Sequence, residues 1–114
     1  MTHYMNLRPR PFDMIACEQK TFELRLYDEK RKTITPGDVI IFANTDIPDA
    51  RLSVRVLKLH IFSSFAELYK TLPLDQCGYL PEEVSTADPA DMEAYYSPDQ
   101  QAHFGVVGIE IEII

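Results

Sequence analysis

Strict alternation of apolar and polar residues marks several stretches of this chain, and such alternation is typical of half-buried β-strands. The most regular stretch is Thr21–Tyr27, in which Phe22, Leu24 and Leu26 share one face. A weaker alternation covers His3–Leu7, and Ile109, Ile111 and Ile113 alternate within the final segment, Val106–Ile114. A turn at Pro36-Gly37-Asp38 leads into an unbroken apolar run, Val39–Phe42, which is typical of a buried strand.

The longest predicted strand, Leu52–Ile61, changes phase part-way along its length. Its first apolar face continues to Val56, and the second face begins at the next residue, Leu57. A slip of one residue within a strand is the pattern that a β-bulge produces, and bulges allow a sheet to bend. The sequence therefore predicts a bulge at Val56-Leu57 and a curved sheet.

Short helices are predicted between the strands. One follows Pro9 and Pro11, and a second begins at the capping box that starts with Ser64. Asp88-Pro89 caps a third helix through Tyr96, Ser97-Pro98 caps a further short turn, and residues 73–87 are expected to form a loop. About five strands and three short helices indicate an α+β fold whose sheet curls towards a small barrel, in one domain spanning residues 1–114.

Composition limits the class of protein. The chain has 114 residues, of which 46% are hydrophobic and 25% charged, and these globular proportions exclude a disordered tail or a fibrous repeat. No apolar run is long enough to span a membrane and no N-terminal apolar signal is present, so we expect a cytoplasmic location. Cys17 and Cys77 are predicted to be free, buried thiols. The dispersed His3, His60 and His103 indicate no metal site, and nothing indicates a cofactor.

Charge is distributed unevenly along the chain. The formal net charge is −7, but residues 1–32 hold seven of the eleven basic residues against five acidic ones. A broad basic surface for nucleic acid is therefore excluded, whereas a local site for an anion is allowed.

Candidate chemistry concentrates at one corner between a helix and a strand. Glu23 and Arg25 are two residues apart on the face of the strand opposite the apolar one, and Lys20 lies just before it. Such a group suits an anionic or polar ligand, since arginine offers a planar fork of donors, lysine a point charge and glutamate an acceptor. The same spacing is also typical of a solvated strand face with ordinary ion pairs.

These residues form part of a motif that resembles the ASCH domain family, whose members carry GxKxxExR. The motif here runs from Glu18, at the position of the family's glycine, to Arg25. The resemblance covers nearly the whole chain. Its matching positions are His3, Met5, Leu7, Pro11, Phe12, Ile15, Lys20, Thr21, Glu23, Arg25, Leu26, Asp28, Lys30, Arg31, Gly37, Asp38, Ile40, Phe42, Tyr95, Tyr96, Ser97 and Phe104–Ile111.

The resemblance implies a PUA-like small β-barrel of about five or six strands flanked by short helices. It also implies a cleft walled by Lys20, Glu23 and Arg25, with Tyr96 and Ser97 as further candidates. We expect this cleft to bind single-stranded RNA or a modified nucleotide. Lys20 and Arg25 would meet phosphate, Glu23 would accept a hydrogen bond from a base, and Tyr27 or Tyr96 would stack on one.

Two other functions are open at this stage. The first is a hydrolase: a ribonuclease that uses Lys20, or an amidohydrolase acting on N4-acetylcytidine. In the amidohydrolases that the chain resembles, a threonine falls three residues after the motif lysine. Here Glu23 occupies that position, and Thr21 is the nearest threonine on the same strand face. The second is an interaction domain with a vestigial cleft that binds a protein partner, as the connection of the ASCH family with transcription coactivation suggests. Fold similarity alone does not decide among these functions.

Overall fold

The computed structural model describes residues 1–114 as one α+β domain built on a single curled sheet. Five strands, within the predicted range, form the sheet: β1 (Thr2–Leu7), β2 (Phe22–Leu26), β3 (Val39–Asn44), β4 (Arg51–Phe62) and β5 (Val106–Ile113). The three α-helices are α1 (Pro9–Ala16), α2 (Phe65–Thr71) and α3 (Pro98–Phe104). None of them is long and apolar enough to cross a membrane.

The strand order, β1-β3-β4-β5-β2, places β1 and β2 at the two edges of the sheet. β1 pairs with β3 in parallel, and the other neighbouring strands are antiparallel. The sheet curls into a half-barrel, so its edges approach each other, and the Arg25 guanidinium on β2 donates a hydrogen bond of 2.9 Å to the carbonyl of Asn6 on β1. The candidate corner therefore lies at the seam of this half-barrel, between β1 and β2.

The predicted bulge in β4 is confirmed. Val56 pairs with Ile111 and Lys58 pairs with Glu110, so Leu57 is the extra residue. The two apolar faces differ in burial. Val54 and Val56 are fully buried, whereas Leu57 is 41% exposed. The bulge puts the second apolar face on the same side of the sheet as the first, because Leu59 pairs with Ile109 and packs against the core cluster that contains Val54 and Val56.

Two apolar clusters stabilise the domain, one on each side of the sheet. The first includes Ile40, Phe42 and Val54 on the central strands. The second packs the apolar face of β2 and the helix α2 against each other, and it includes Leu24 and Phe65. Because both sides of the sheet are covered, β2 has no solvated face. The ordinary reading of its charged positions as a solvated strand face is therefore wrong.

Helical structure between residues 73 and 104 differs in detail from the prediction. The helix predicted after Asp88 is a 3₁₀ helix, Pro89–Ala94, and the predicted loop contains two more, Leu74–Gln76 and Pro81–Thr86. The turn predicted at Ser97-Pro98 is the start of α3. These segments lack a long apolar repeat, so their conformation depends on packing against the barrel.

Candidate functional site

A buried carboxylate organises the corner that the sequence singled out. Glu23 receives the Lys20 ammonium on Oε1 at 2.8 Å and the Arg25 guanidinium Nε on Oε2 at 2.8 Å. The side chains of Glu23, Lys20 and Arg25 are only 4%, 8% and 16% exposed. Two cations share one carboxylate, so the group retains a net positive charge next to open space.

The pKa values of this group follow from two opposing effects. Burial raises the pKa of Glu23, but the attraction and hydrogen bonds of Lys20 and Arg25 outweigh burial, and the pKa lies below its ordinary value. For Arg25, burial lowers the pKa and the Glu23 carboxylate more than compensates, so the pKa is raised. Glu23 and Arg25 therefore hold each other in their charged forms.

The backbone before Lys20 is held by the C-terminal cap of α1. Glu18 follows the helix with a φ of +65°, and it is the one residue other than glycine with a positive φ. Its N–H donates to the carbonyl of Ile15, and the N–H of Lys20 donates to that of Met14. Glycine is the usual residue at such a left-handed cap. The turn that presents Lys20 thus keeps its shape with glutamate at this position, at a cost in backbone strain.

A cavity of about 600 Å³ opens beside this group. One wall comes from the segment after β1 and from β2 with the residues just before it. Four cations line it, and Arg10 among them pairs with Glu83 at 3.0 Å. We call the other three, Arg8, Lys20 and Arg25, the basic wall. The facing chain, residues 69–96, supplies tyrosines and carboxylates. The volume lies within the range of pockets that enclose small organic ligands.

A chain of hydrogen bonds runs through the part of the cavity formed by Tyr69, Tyr79 and Asp91, which we call the acceptor wall. The hydroxyls of Tyr69 and Tyr79 are 2.8 Å apart, and the Tyr79 hydroxyl donates to Asp91 Oδ2 at 2.8 Å. Burial is the largest cause of the raised pKa of both phenols. Both therefore stay protonated.

Two further tyrosines line the cavity. The Tyr96 ring stacks on Phe65 at 5.9 Å between centroids, so one face of it belongs to the core. Burial raises the pKa of Tyr96, and the neighbouring Arg25 opposes that rise. Tyr95 is 55% exposed, and the Arg8 guanidinium lies 5.3 Å from its ring centroid. Tyr95 is therefore the most exposed of the tyrosines that line the cavity.

The family of this chain is decided by a family model that matches nearly its whole length. The family model for the ASCH domain matches residues 5–114. The chain belongs to the ASCH domain family. A comparison with curated proteins finds no match.

Solved structures agree with membership of the ASCH family. The crystal structure of a hypothetical protein, PH0355, is 33% identical with a TM-score of 0.80, and the match covers all of both chains. The solution structure of protein PF0455 from Pyrococcus furiosus is 34% identical with a TM-score of 0.72, covering 100% of this chain and 98% of that one. The crystal structure of an ASCH domain from Lactobacillus crispatus shares the fold at 11% identity, with a TM-score of 0.61 over 97% of this chain and 79% of that one.

The structure brings Lys20, Glu23, Arg25 and Tyr96 together at the cavity of this ASCH domain, but it does not bring Tyr27 or Ser97 there. Tyr27 packs against the first core cluster, with the Lys32 ammonium 5.8 Å from its ring centroid. Ser97 is the N-cap of α3, and its hydroxyl accepts a hydrogen bond from the N–H of Gln100. Both residues have local structural partners instead.

Thr21 and the cysteines are also placed by the structure. The Thr21 hydroxyl donates to Oε1 of Gln76 at 2.9 Å and does not line the cavity. Cys77 is buried in the cavity wall, where burial raises the pKa of its thiol to about 12. Cys17 is exposed, which corrects the prediction that both thiols are buried. It is the C-cap that follows the last residue of α1, where the chain turns at the surface.

Reasoning from sequence did not identify the acceptor wall. Tyr69 lies in the helix predicted after Ser64, and Tyr79 lies in the segment predicted to be a loop. Asp91 stands near the start of a predicted helix, where an acidic residue is ordinary. Tyrosine and aspartate spaced this far apart carry no local signal, so only tertiary structure assembles them.

Proposed function

We propose that this ASCH domain is a binding module for single-stranded RNA or a modified nucleotide, and that the cavity at the seam of the barrel takes one nucleotide unit. The observation that supports the proposal most directly is the buried group of Lys20, Glu23 and Arg25 in the cavity wall. It holds a net positive charge in a site largely withdrawn from water. Electrostatic attraction for a phosphate is stronger there than on an open surface.

Each residue of the group has a distinct part in the proposal. Lys20 and Arg25 donate to phosphate oxygens through those of their N–H groups that are not bonded to Glu23 or to the Asn6 carbonyl. Glu23 has both carboxylate oxygens engaged by these cations, so we assign it the part of orienting them, in place of the contact with a base that the sequence suggested. Tyr95 offers an exposed ring on which a base can stack, in place of Tyr27.

The charge of the whole chain supports a short contact rather than a long one. With a net charge of −7, the surface outside the cavity repels a polyanion, and few phosphates are neutralised. For single strands the logarithm of affinity falls with the logarithm of salt by about 0.7 for each phosphate contact. We therefore expect a shallow salt dependence.

The test is fluorescence anisotropy with a labelled, mixed-sequence oligoribonucleotide. Lys20→Gln should weaken binding about tenfold, since a hydrogen bond to a charged group contributes about 1.5 kcal/mol or more. Arg8→Gln, which removes a cation at the exposed edge of the cavity, should also weaken binding without touching the buried group. Lys58→Gln on β4 is the matched control, because Lys58 is exposed and lies outside the cavity. Equal affinity of all three variants and the wild type would refute the proposal.

The same RNA, run on a denaturing gel after incubation, tests the hydrolase alternative. We expect intact RNA with the wild type. Cleavage products that disappear with Lys20→Gln would replace the binding proposal with an RNA-cleaving enzyme that uses Lys20. For the amidohydrolase, Thr21 is held by Gln76 away from the cavity, and loss of the acetyl group from N4-acetylcytidine is the corresponding assay.

A further inference from the structure

The direction of the hydrogen bonds in the acceptor wall can be worked out from its last member. A carboxylate only accepts hydrogen bonds, so the Tyr79 hydroxyl must be the donor to Asp91 Oδ2. The oxygen of Tyr79 is then the acceptor for Tyr69, whose hydroxyl lies 2.8 Å away. Neither phenol has a hydrogen left to offer.

This part of the cavity consequently presents lone pairs alone. Asp91 Oδ1 receives no hydrogen bond from the protein, while Oδ2 receives those of Tyr79 and of the Asp88 N–H. The basic wall presents the opposite chemistry, since Lys20 and Arg25 can only donate. One cavity thus holds a donor side contributed by residues 8–25 and an acceptor side contributed by residues 69–91.

A ligand that satisfies both sides carries an anion at one end and a hydrogen-bond donor at the other. We propose that the acceptor wall selects nucleotides whose base has an exocyclic amino group, with that group donating to Asp91, over nucleotides with a carbonyl at the same position. The proposal rests on the proposed function, because the phosphate is taken to meet Lys20 and Arg25. A carbonyl oxygen against the acceptor wall would lose its hydration and gain no donor in return.

Two pairs of mononucleotides carry this difference, since CMP and UMP have an amino group and a carbonyl at the same ring position, as do AMP and IMP. The neighbouring ring nitrogen changes with it, from an acceptor in CMP and AMP to an N–H in UMP and IMP, which lies one position away from the amino group. Competition with the labelled RNA, or calorimetry, should give about tenfold tighter binding of the amino member of each pair. That factor corresponds to about 1.4 kcal/mol, near the lower end for a hydrogen bond to a charged group.

Substitution of the wall should change the preference rather than abolish binding. Asp91→Asn supplies an amide N–H₂ donor, so the preference for CMP over UMP should vanish or reverse. Tyr79→Phe removes the acceptor of the Tyr69 hydroxyl, which can then donate to the ligand. The preference for CMP over UMP should therefore also decrease. Asp49→Asn, the same change of charge in an exposed loop outside the cavity, should leave the preference intact. Circular dichroism establishes that each variant is folded.

Four results would overturn the inference. Equal affinities within both pairs would show that the cavity does not select the base. A preference that survives Asp91→Asn would show that the acceptor wall is not its cause, and either result leaves RNA binding standing. Failure of every mononucleotide to compete, while the RNA still binds in a manner that depends on Lys20, would show that the cavity does not take the base. Absence of RNA binding as well would overturn the proposed function together with this inference.

Discussion

Replacing Glu23 by glutamine should destabilise the fold by about 3 kcal/mol, because it leaves two buried cations without their carboxylate. Removal of one partner from a buried ion pair costs about 3–5 kcal/mol. We expect a loss at the lower end of this range, because the Arg25 side chain is 16% exposed and keeps its hydrogen bond to the Asn6 carbonyl. The glutamine amide would also turn an N–H₂ group towards Lys20 or Arg25. For a chain of this size, the loss corresponds to a fall in Tm of about 12 °C.

Urea denaturation at neutral pH, followed by circular dichroism, measures the loss. Glu112→Gln is the matched control, because Glu112 is exposed near the end of β5 and forms no ion pair there. A surface change of that kind stays within about 0.5 kcal/mol. If Glu23→Gln also changed the free energy of unfolding by no more than about 0.5 kcal/mol, with an unchanged denaturant slope, the reasoning from the buried group would be refuted.

The pH dependence of the same pair of proteins gives a second check. The pKa of Glu23 in the folded state lies below its ordinary value of 4.5, so the unfolded chain takes up the proton first as the pH falls. The stability that Glu23 contributes is complete above that ordinary value, and it is lost as the pH drops towards the lowered one. The difference between wild type and Glu23→Gln should therefore shrink in acid. A constant difference would contradict the assigned charges.

Three further results are expected. Glu18→Gly should stabilise the fold by about 0.5–1 kcal/mol in urea titration, because glycine removes the strain of a left-handed residue. The gain is limited because glycine also raises the conformational entropy of the unfolded chain. Glu18→Ala keeps the β-carbon and should gain nothing. Gly108→Ala should destabilise the fold by about 1–3 kcal/mol in the same assay, since the added β-carbon would lie 2.5 Å from Leu72 Cδ1. A thiol reagent should modify Cys17 in the native protein, and Cys77 only after unfolding, because Cys77 is buried and its thiol pKa is raised to about 12.

Each of these results can fail in a distinct way. Equal stability of the glycine and alanine variants at residue 18 would show that the cap carries no strain. An unaffected Gly108→Ala protein would show that Leu72 repacks freely. Native-state modification of both thiols at similar rates would show that the wall around Cys77 opens readily.

Much of the strand framework could be predicted because its signals are local. The period of two in β2 and β5 and the phase slip at Leu57 follow from which residues face the core, and each can be seen within a few positions. The cap at Ser64 is equally local, since its hydroxyl accepts from an N–H three residues on. The motif residues Lys20, Glu23 and Arg25 also lie close together in the chain, so their proximity was predictable.

The environment of Lys20, Glu23 and Arg25 in the fold, by contrast, depends on tertiary structure. The sequence placed Glu23 on a face opposite the core, and only the curl of the sheet, which brings β1 against β2, explains its burial between two cations. The acceptor wall joins Tyr69 and Asp91, on two separate helices, through Tyr79 on the loop between them. Periodicity reports which side of an element is apolar, whereas the pairing of distant polar groups depends on how the elements pack. That is why the sequence alone located one wall of the cavity and the fold supplied the other.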